Sequence, residues 1–193
     1  MKTAIIVAHP GETSFTKAMA QAYKEAVLER GNMVVIRDLY EMRFDPCLRE
    51  CEIPWSAEFK PSPDVLDERA VLSGTEVFAM FYPLWLNAPP AILKGYMERV
   101  FGMGFAYARG RGGNEPLLTG RRLFCVSSSG APMDWVAKTG AWNAMRTLFD
   151  AHFAAVCGLE VAGHVHFGGI VPGIRLDFVE KCAATVREKA SSL

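Results

Sequence analysis

The chain has 193 residues, of which 50% are hydrophobic, so it can bury one substantial core and is short for two. We therefore expect a single domain that spans residues 1–193. Its 21 basic and 21 acidic residues cancel, which argues against a broad attraction to nucleic acid or to an anionic membrane surface. No stretch approaches the roughly 20 apolar residues that a membrane span needs, and the first apolar run is too short for a secretory leader. These features and the odd number of cysteines predict a cytoplasmic protein without disulfide bonds.

Apolar runs alternate with helical periodicities along the chain. The run from Thr3 to Ala8 predicts a first strand, and the apolar spacing from Phe15 to Val27 predicts an amphipathic helix that Gly31 ends. Further strands are predicted at residues 33–36, 77–82, 123–126 and 161–167, and further helices at 65–72, 92–101, 142–156 and 176–186. Strands this continuously apolar are typical of a parallel sheet covered on both faces. The sequence therefore predicts a doubly wound α/β fold with ligands beyond the carboxyl ends of the strands.

Two connections are too long to be simple turns, residues 38–63 and residues 102–120. Loops longer than about 12 to 15 residues in a compact domain are often functional. The second is rich in glycine, with glycines at positions 102, 104, 110, 112 and 113 before its last residue. We expect this segment to cover a ligand site.

The end of the first strand carries the most informative local pattern. A polar turn begins at His9, and a helix restarts at Ser14, which leaves several backbone N–H groups unpaired at one point. Such a turn is suited to a phosphate, and the side chains of His9, Thr13 and Ser14 add donors. An ordinary helix cap by Ser14 explains the pattern equally well. The glycines of the G-x-G-x-x-G and Walker A motifs are missing, so those nucleotide sites are disfavoured.

Two further strand ends carry residues that are suited to ligand binding. Aromatic and apolar residues from Tyr82 to Pro90 form a rigid wall that favours a planar ligand over a plain hydrophobic corner. The turn from Ser127 to Gly130 offers N–H groups and hydroxyls suited to negative charge, and an ordinary small-residue turn is as good an interpretation.

At these positions the sequence resembles the flavodoxin-like NAD(P)H:quinone oxidoreductases, the DT-diaphorase-like family. The resemblance is collinear over most of the chain and is most specific between Tyr82 and Tyr107. It rests on HPGETSFT at residues 9–16, DLY at 38–40, FDP at 44–46, YPLW at 82–85, PAILKG at 90–95, ERVF at 98–101 and GFAY at 104–107.

The resemblance implies a flavodoxin-like three-layer sandwich, with a five-stranded parallel sheet of order 2-1-3-4-5 and helices on both faces. It implies that the first turn holds the phosphate and ribityl region of a flavin through His9, Thr13, Ser14, Phe15 and Thr16. The second turn would lie along the isoalloxazine ring through Pro83, Leu84, Trp85, Leu86 and Asn87. The third would face the other edge of the ring through Ser127, Ser128, Ser129 and Gly130. Tyr107 would contact the nicotinamide or the acceptor and is the candidate catalytic residue.

The implied activity is NAD(P)H-dependent reduction of quinones or related electrophilic small molecules by two-electron hydride transfer through FAD, with FMN as the alternative. The implied assembly is a homodimer, with no nucleic-acid partner and no membrane insertion. Three features depart from the family pattern: Thr16 replaces an asparagine, Leu86 replaces a tryptophan, and residues 131–141 lack the tyrosine and histidine that handle the acceptor's proton in some members.

Two other functions compete with this one. Relatives of the family act as flavin-binding ancillary subunits of potassium-efflux systems with little turnover of their own. An electron-carrying flavodoxin is disfavoured because such carriers are acidic, whereas the pI of this sequence is about 6.9.

Remaining polar residues favour structural interpretations. His164 and His166 could be two metal ligands on one strand face, but no third ligand is clustered with them in the sequence, so a structural role is favoured and no metal is predicted. For Asp45, Glu98 and Arg99, a structural or a dimer ion pair is as good an interpretation as a catalytic role.

Overall fold

The computed structural model describes all residues from 1 to 193, and a five-stranded parallel sheet forms its centre. The strands of the chain are β1 (Lys2–Val7), β2 (Met33–Asp38), β3 (Val77–Pro83), β4 (Tyr107–Gly110), β5 (Gly113–Pro116), β6 (Arg122–Ser128) and β7 (Glu160–Phe167). The central sheet has the order β2-β1-β3-β6-β7, and each neighbouring pair is parallel. Numbered without the separate β4–β5 pair, this is the order 2-1-3-4-5, so the predicted flavodoxin-like topology is confirmed.

Helices cover both faces of the sheet. They are α1 (Phe15–Glu29), α2 (Pro63–Val71), α3 (Ala91–Val100), α4 (Met133–Lys138), α5 (Ala141–Met145), α6 (Phe153–Cys157) and α7 (Leu176–Ser192). Helices α1 and α7 share one apolar cluster with one face of the sheet, and α3, α5 and α6 contribute to a second cluster with the other face. The three-layer sandwich is therefore confirmed. No helix combines the length and the apolar composition required to cross a membrane.

Two predicted segments differ from the structure. The helix predicted at 142–156 is interrupted by a π-helical segment, Arg146–His152, which joins α5 to α6. A π-helical turn contains an extra residue, so the side chains beyond it are rotated relative to a regular helix, and apolar spacing alone does not reveal this. The connection at 102–120 contains the antiparallel hairpin β4–β5 instead of an irregular loop. Cys125, Cys157 and Cys182 are buried, and all five cysteines are free.

The long connection after β2 is fixed to the core by Arg99 on α3. The Arg99 side chain is 0% exposed, and its guanidinium donates two hydrogen bonds of 2.8 Å to the carboxylate of Glu52. It also donates to the backbone carbonyl of Asp45 at 2.6 Å and lies 2.9 Å from a carboxylate oxygen of Asp64. The arginine is therefore a structural anchor within one chain, which decides between the two interpretations of its ion pair.

The Arg99–Glu52 pair predicts a measurable loss of stability. Burial raises the pKa of Glu52, but the hydrogen bonds from Arg99 and Ser62 outweigh it and lower that pKa to about 2. Because the folded pKa lies below the unfolded value, the pair contributes its full stability above about pH 4.5 and loses it as the pH falls toward 2. We expect Glu52→Gln to lower the free energy of unfolding by about 3–5 kcal/mol at neutral pH, because it removes the buried charge partner of the guanidinium and leaves only the partly exposed Asp64.

Urea denaturation measures this loss. Glu50→Gln is the matched control because Glu50 is exposed in the same short helical turn, and we expect it to change stability little. Equal midpoints for the two variants would contradict the anchoring role of Arg99.

Candidate functional site

The turns after four parallel strands meet at one edge of the sheet because the strands are in register. Tyr82 is paired with Ser127, and Ser128 is paired with Phe167, at the ends of β3, β6 and β7. The turns themselves are tied together by backbone bonds: Ala8 donates to the carbonyl of Phe81 at 2.9 Å, Leu84 to Ser128 at 2.6 Å and Ser129 to Phe167 at 2.9 Å. This edge is the place where ligands bind in open α/β sheets.

A cavity of about 460 Å³, here called the slot, lies between these turns. This volume is within the roughly 300–1,000 Å³ of small-molecule sites. Most of the predicted site residues line it: His9, Thr13, Ser14, Phe15, Thr16, Pro83, Leu84, Trp85, Ser128, Ser129 and Gly130. The slot is therefore assembled from all three strand ends that the sequence indicated.

The first turn presents a group of free backbone donors. The N–H groups of residues 12–16 make no hydrogen bond within the protein, whereas the N–H of Lys17 is capped by the Ser14 hydroxyl at 3.1 Å. Ser14 is extended at the N-cap of α1, so the helix dipole adds positive potential at the same place. The helix cap by Ser14 is therefore confirmed, and the free N–H groups that the phosphate-binding interpretation requires are different atoms of the same turn.

The charge of this turn comes from dipoles, because its nearest cation is already paired. Lys17 Nζ lies 2.8 Å from a carboxylate oxygen of Asp38 and 3.0 Å from one of Glu41. Burial lowers the pKa of His9, and its Nδ1 accepts the N–H of Gly11 at 3.0 Å, so the ring is neutral at pH 7 with its proton on Nε2. The turn is therefore a set of neutral donors suited to an anion.

The second turn is a strained backbone loop beside the slot. Trp85 and Ala88 exchange two backbone hydrogen bonds, of 3.0 and 3.1 Å, around Leu86 and Asn87. Both central residues have positive φ angles, of 53° and 58°, in a region that costs non-glycine residues of the order of 1–3 kcal/mol each. Leu86 is fully exposed, and neither central residue lines the slot. Strain of this kind is concentrated at functional sites, and here the two hydrogen bonds between Trp85 and Ala88 hold the strained turn in place.

Like Leu86 and Asn87, two further predicted site residues lie away from the slot. Ser127 is buried inside β6, where its hydroxyl contacts His164 Nε2 at 2.7 Å and His166 Nδ1 at 2.8 Å. Tyr107 lines a second, mostly apolar cavity of about 420 Å³ with Phe149 of the π-helical segment and with residues of α3 and α6. Since no residue of 102–120 borders the slot, the expectation that this segment covers it is not met within one chain.

Sequence reasoning missed two features of this edge. Residues 170–174, after β7, form the remaining wall of the slot, and the signal was the glycine and proline turn that follows the fifth strand. The second is Asp150, which binds His164 Nδ1 at 2.7 Å and belongs to the π-helical segment. The alternation of His164 and His166 indicated one strand face, but nothing in the sequence indicated that Asp150 covers it.

The residues present fit a flavin. Five consecutive unpaired N–H donors match an anionic phosphate, and the adjoining Pro83 to Trp85 segment provides an apolar wall for a planar ring. The opposite rim is made of small residues, Ser128, Ser129 and Gly130, which leave room for the edge of a heterocycle.

Comparison with known proteins agrees with this geometry. A family model described as "Flavodoxin-like fold" matches residues 1–190. An "Uncharacterized NAD(P)H oxidoreductase" of Haemophilus influenzae is 32% identical over 171 residues, which cover 88% of this chain and 85% of the relative. "NAD(P)H dehydrogenase [quinone] 1" of Cavia porcellus is 36% identical over 120 residues, and the match covers 53% of this chain and 44% of that longer protein. The solved structure of an NAD(P)H:quinone oxidoreductase from Methanothermobacter marburgensis superposes with a TM-score of 0.85 at 26% identity, covering 100% of this chain and 96% of the other.

The free donors of the first turn predict the effect of a charge placed among them. We expect Thr13→Glu to raise the dissociation constant for FMN at least about tenfold, or about 1.4 kcal/mol, because the new carboxylate repels the phosphate. Thr13 is exposed, so the substitution is compatible with folding. Titration of the flavin-free protein by flavin fluorescence measures the constant.

Thr13→Gln is the matched control because glutamine has the size of glutamate but carries no charge. We expect its affinity to stay near that of the unchanged protein. Equal affinities for the Glu and Gln variants would show that the phosphate does not bind at this turn.

Proposed function

We propose, from the premise that the chain belongs to the flavodoxin-like fold family whose model matches residues 1–190, that it is an NAD(P)H-dependent flavin oxidoreductase. It would reduce quinones or related electrophilic small molecules by two electrons. The observation that carries this proposal is the row of free N–H donors at residues 12–16, beside a slot that residues 13–16 line together with an apolar, aromatic wall. The names of the relatives in Haemophilus influenzae and Cavia porcellus support the same activity.

Each side of the slot has its own task in this proposal. His9, Thr13, Ser14, Phe15 and Thr16 bind the phosphate and the ribityl chain with neutral donors. Pro83, Leu84 and Trp85 lie along the ring and exclude water from one side of it. Ser128, Ser129 and Gly130 face its other edge. The flavin, as FAD or FMN, supplies the hydride chemistry when bound, and the chain supplies position and hydrogen bonds.

A competing role is an ancillary subunit of a potassium-efflux system. None of the relatives described above is named for such a role, and all three are named as oxidoreductases or dehydrogenases. The oxidoreductase is therefore the function that we carry forward, with residues 1–193 acting as one domain.

We infer further that two copies form a homodimer. Tyr107, which the family resemblance assigns to the nicotinamide or the acceptor, lies in the second cavity instead of the slot. That cavity is mostly apolar, and Leu148 at its edge is 58% exposed. A second copy would cover this apolar surface and could bring its segment 102–120 to the open slot, which completes the site.

Flavin reduction tests the activity. We expect the purified protein to be yellow, to release FAD or FMN on denaturation, and to bleach near 450 nm when NADH or NADPH is added without oxygen. Addition of a quinone should restore the colour. Comparing the two nucleotides and the two flavins settles which pair the enzyme uses. A colourless protein whose melting temperature neither flavin shifts would contradict the proposal.

The mass in solution tests the homodimer. We expect light scattering to give twice the 21.3 kDa of the chain. Leu148→Glu should shift the mass toward one chain, since it places a charge on the apolar surface. The matched control is Leu28→Glu, because Leu28 is 46% exposed on α1, at the opposite face of the sheet. A single-chain mass for the unchanged protein would contradict the dimer.

A further inference from the structure

A continuous line of hydrogen bonds runs beneath the slot, from a buried carboxylate to a residue of the slot itself. Asp150 Oδ2 lies 2.7 Å from His164 Nδ1, and His164 Nε2 lies 2.7 Å from the Ser127 hydroxyl. The same hydroxyl lies 2.8 Å from His166 Nδ1, and His166 Nε2 lies 3.0 Å from the hydroxyl of Ser129. Ser129 lines the slot. We call the five residues Asp150, His164, Ser127, His166 and Ser129 the relay. The proposed function gives a role to Ser129 and none to the other four.

The relay contains one more hydrogen bond than two neutral histidines can satisfy. Ser129 also donates to the carbonyl of Ala131 at 2.8 Å, so the line comprises five hydrogen bonds and needs five protons. The two serine hydroxyls supply two protons, and two neutral imidazoles supply one each. One hydrogen bond is then left without a proton. A single additional proton completes all five and balances the negative charge of the Asp150 carboxylate.

The additional proton belongs at the inner end of the relay. Burial and the neighbouring His164 lower the pKa of His166 to about 4, so His166 is neutral at pH 7. The side chain of His164 is 0% exposed and that of Asp150 is 2% exposed, so the two form a close pair away from water. With the proton on His164, Ser127 donates to His166 Nδ1 and His166 Nε2 donates to Ser129. Every distance in the relay is then a satisfied hydrogen bond.

The other groups that face this pair leave the assignment unchanged. Burial raises the pKa of Tyr82 on β3 and of Cys125 on β6 well above their usual values, so both stay neutral. The remaining charge is that of Arg146, whose Nε lies 3.7 Å from Asp150 Oδ2 and whose side chain is 51% exposed. The second oxygen of Asp150, Oδ1, has no hydrogen-bond partner in the protein, so the carboxylate depends on His164 for its only direct hydrogen bond.

We propose that the relay Asp150–His164–Ser127–His166–Ser129 stores one proton and delivers it through Ser129 to the acceptor in the slot. The proposal rests on the proposed function, because a quinone reduced by a hydride needs one further proton on its second oxygen. Residues 131–141 contain neither tyrosine nor histidine to supply that proton. The relay is the buried source that reaches the rim of the slot.

The step balances in atoms and charge. The hydride brings both electrons to the acceptor. The Ser129 hydroxyl turns from the Ala131 carbonyl to the acceptor, its O–H bond breaks, and a new O–H bond forms on the acceptor. His166 Nε2 then gives its proton to Ser129, Ser127 gives its proton to His166 Nδ1, and His164 Nε2 gives its proton to Ser127. The relay ends with a neutral His164 beside the Asp150 carboxylate, and one proton from water restores it.

Nitrogen NMR of the histidine rings tests the stored proton without turnover. In the purified protein with its flavin, labelled with ¹⁵N-histidine, we expect His164 at neutral pH to carry protons on both ring nitrogens. His166 should be neutral with its proton on Nε2. His166→Gln assigns the signals. Neutral rings at both positions at neutral pH would overturn the proposal.

Half-reaction kinetics test the delivery. For Ser127→Ala, which cuts the relay in its middle, we expect flavin reduction by NAD(P)H to proceed at the unchanged rate. Reoxidation by 1,4-benzoquinone should slow about 100-fold, the lower end for general acid catalysis, and should recover as the pH falls because water then supplies the proton. Ser127→Thr keeps the hydroxyl and should restore the rate. Reoxidation of Ser127→Ala at the unchanged rate from about pH 5 to about pH 9 would overturn the delivery step.

The two proposals fail in distinguishable ways. A flavin that NAD(P)H does not reduce contradicts the proposed function and with it the delivery to a quinone, whatever the NMR spectrum shows. A flavin that is reduced and reoxidised normally in Ser127→Ala, at every pH, contradicts the relay alone.

Discussion

The register of the parallel strands is the constraint on which the rest of the structure depends. Because β1, β3, β6 and β7 end at one edge, the turns that follow them share backbone hydrogen bonds and enclose one slot. The first turn opens into helix α1 and leaves five N–H groups without partners. A parallel sheet cannot satisfy these groups within itself, so the edge that completes the fold is also the edge that is prepared for an anionic ligand.

Successive side chains of a strand point to opposite faces, so the residues at this edge lie in two different environments. Ser128 and Gly130 face the slot, where the donors are neutral and the nearest cation, Lys17, is paired with Asp38. Ser127 points instead to the histidines of β7, beneath the slot. The slot thus offers backbone dipoles to an anion, while in the proposed relay the layer below it holds a proton between Asp150 and His164. Ser129 joins the two layers, since it lines the slot and contacts His166.

The sequence predicts the parts of this molecule that depend on local pattern. Apolar runs gave every strand of the central sheet, and Ser14 is the cap of α1 as its position indicated. The parts that were missed depend on contacts between distant segments. The π-helical segment that aims Asp150 at His164 does not alter the apolar spacing enough to be recognised. The Ser127 side chain points toward His164 and His166 because of the register between β6 and β7. No sequence motif indicates that register.

The central claim is that the donors of residues 12–16 and the rim of the third turn bind one flavin. Backbone amide NMR during titration of the flavin-free protein with FMN tests it most directly. The account predicts that the largest shifts occur at residues 12–16 and 128–130, with small shifts at the residues of the cavity around Tyr107. Shifts concentrated around Tyr107, with residues 12–16 unchanged, would contradict it.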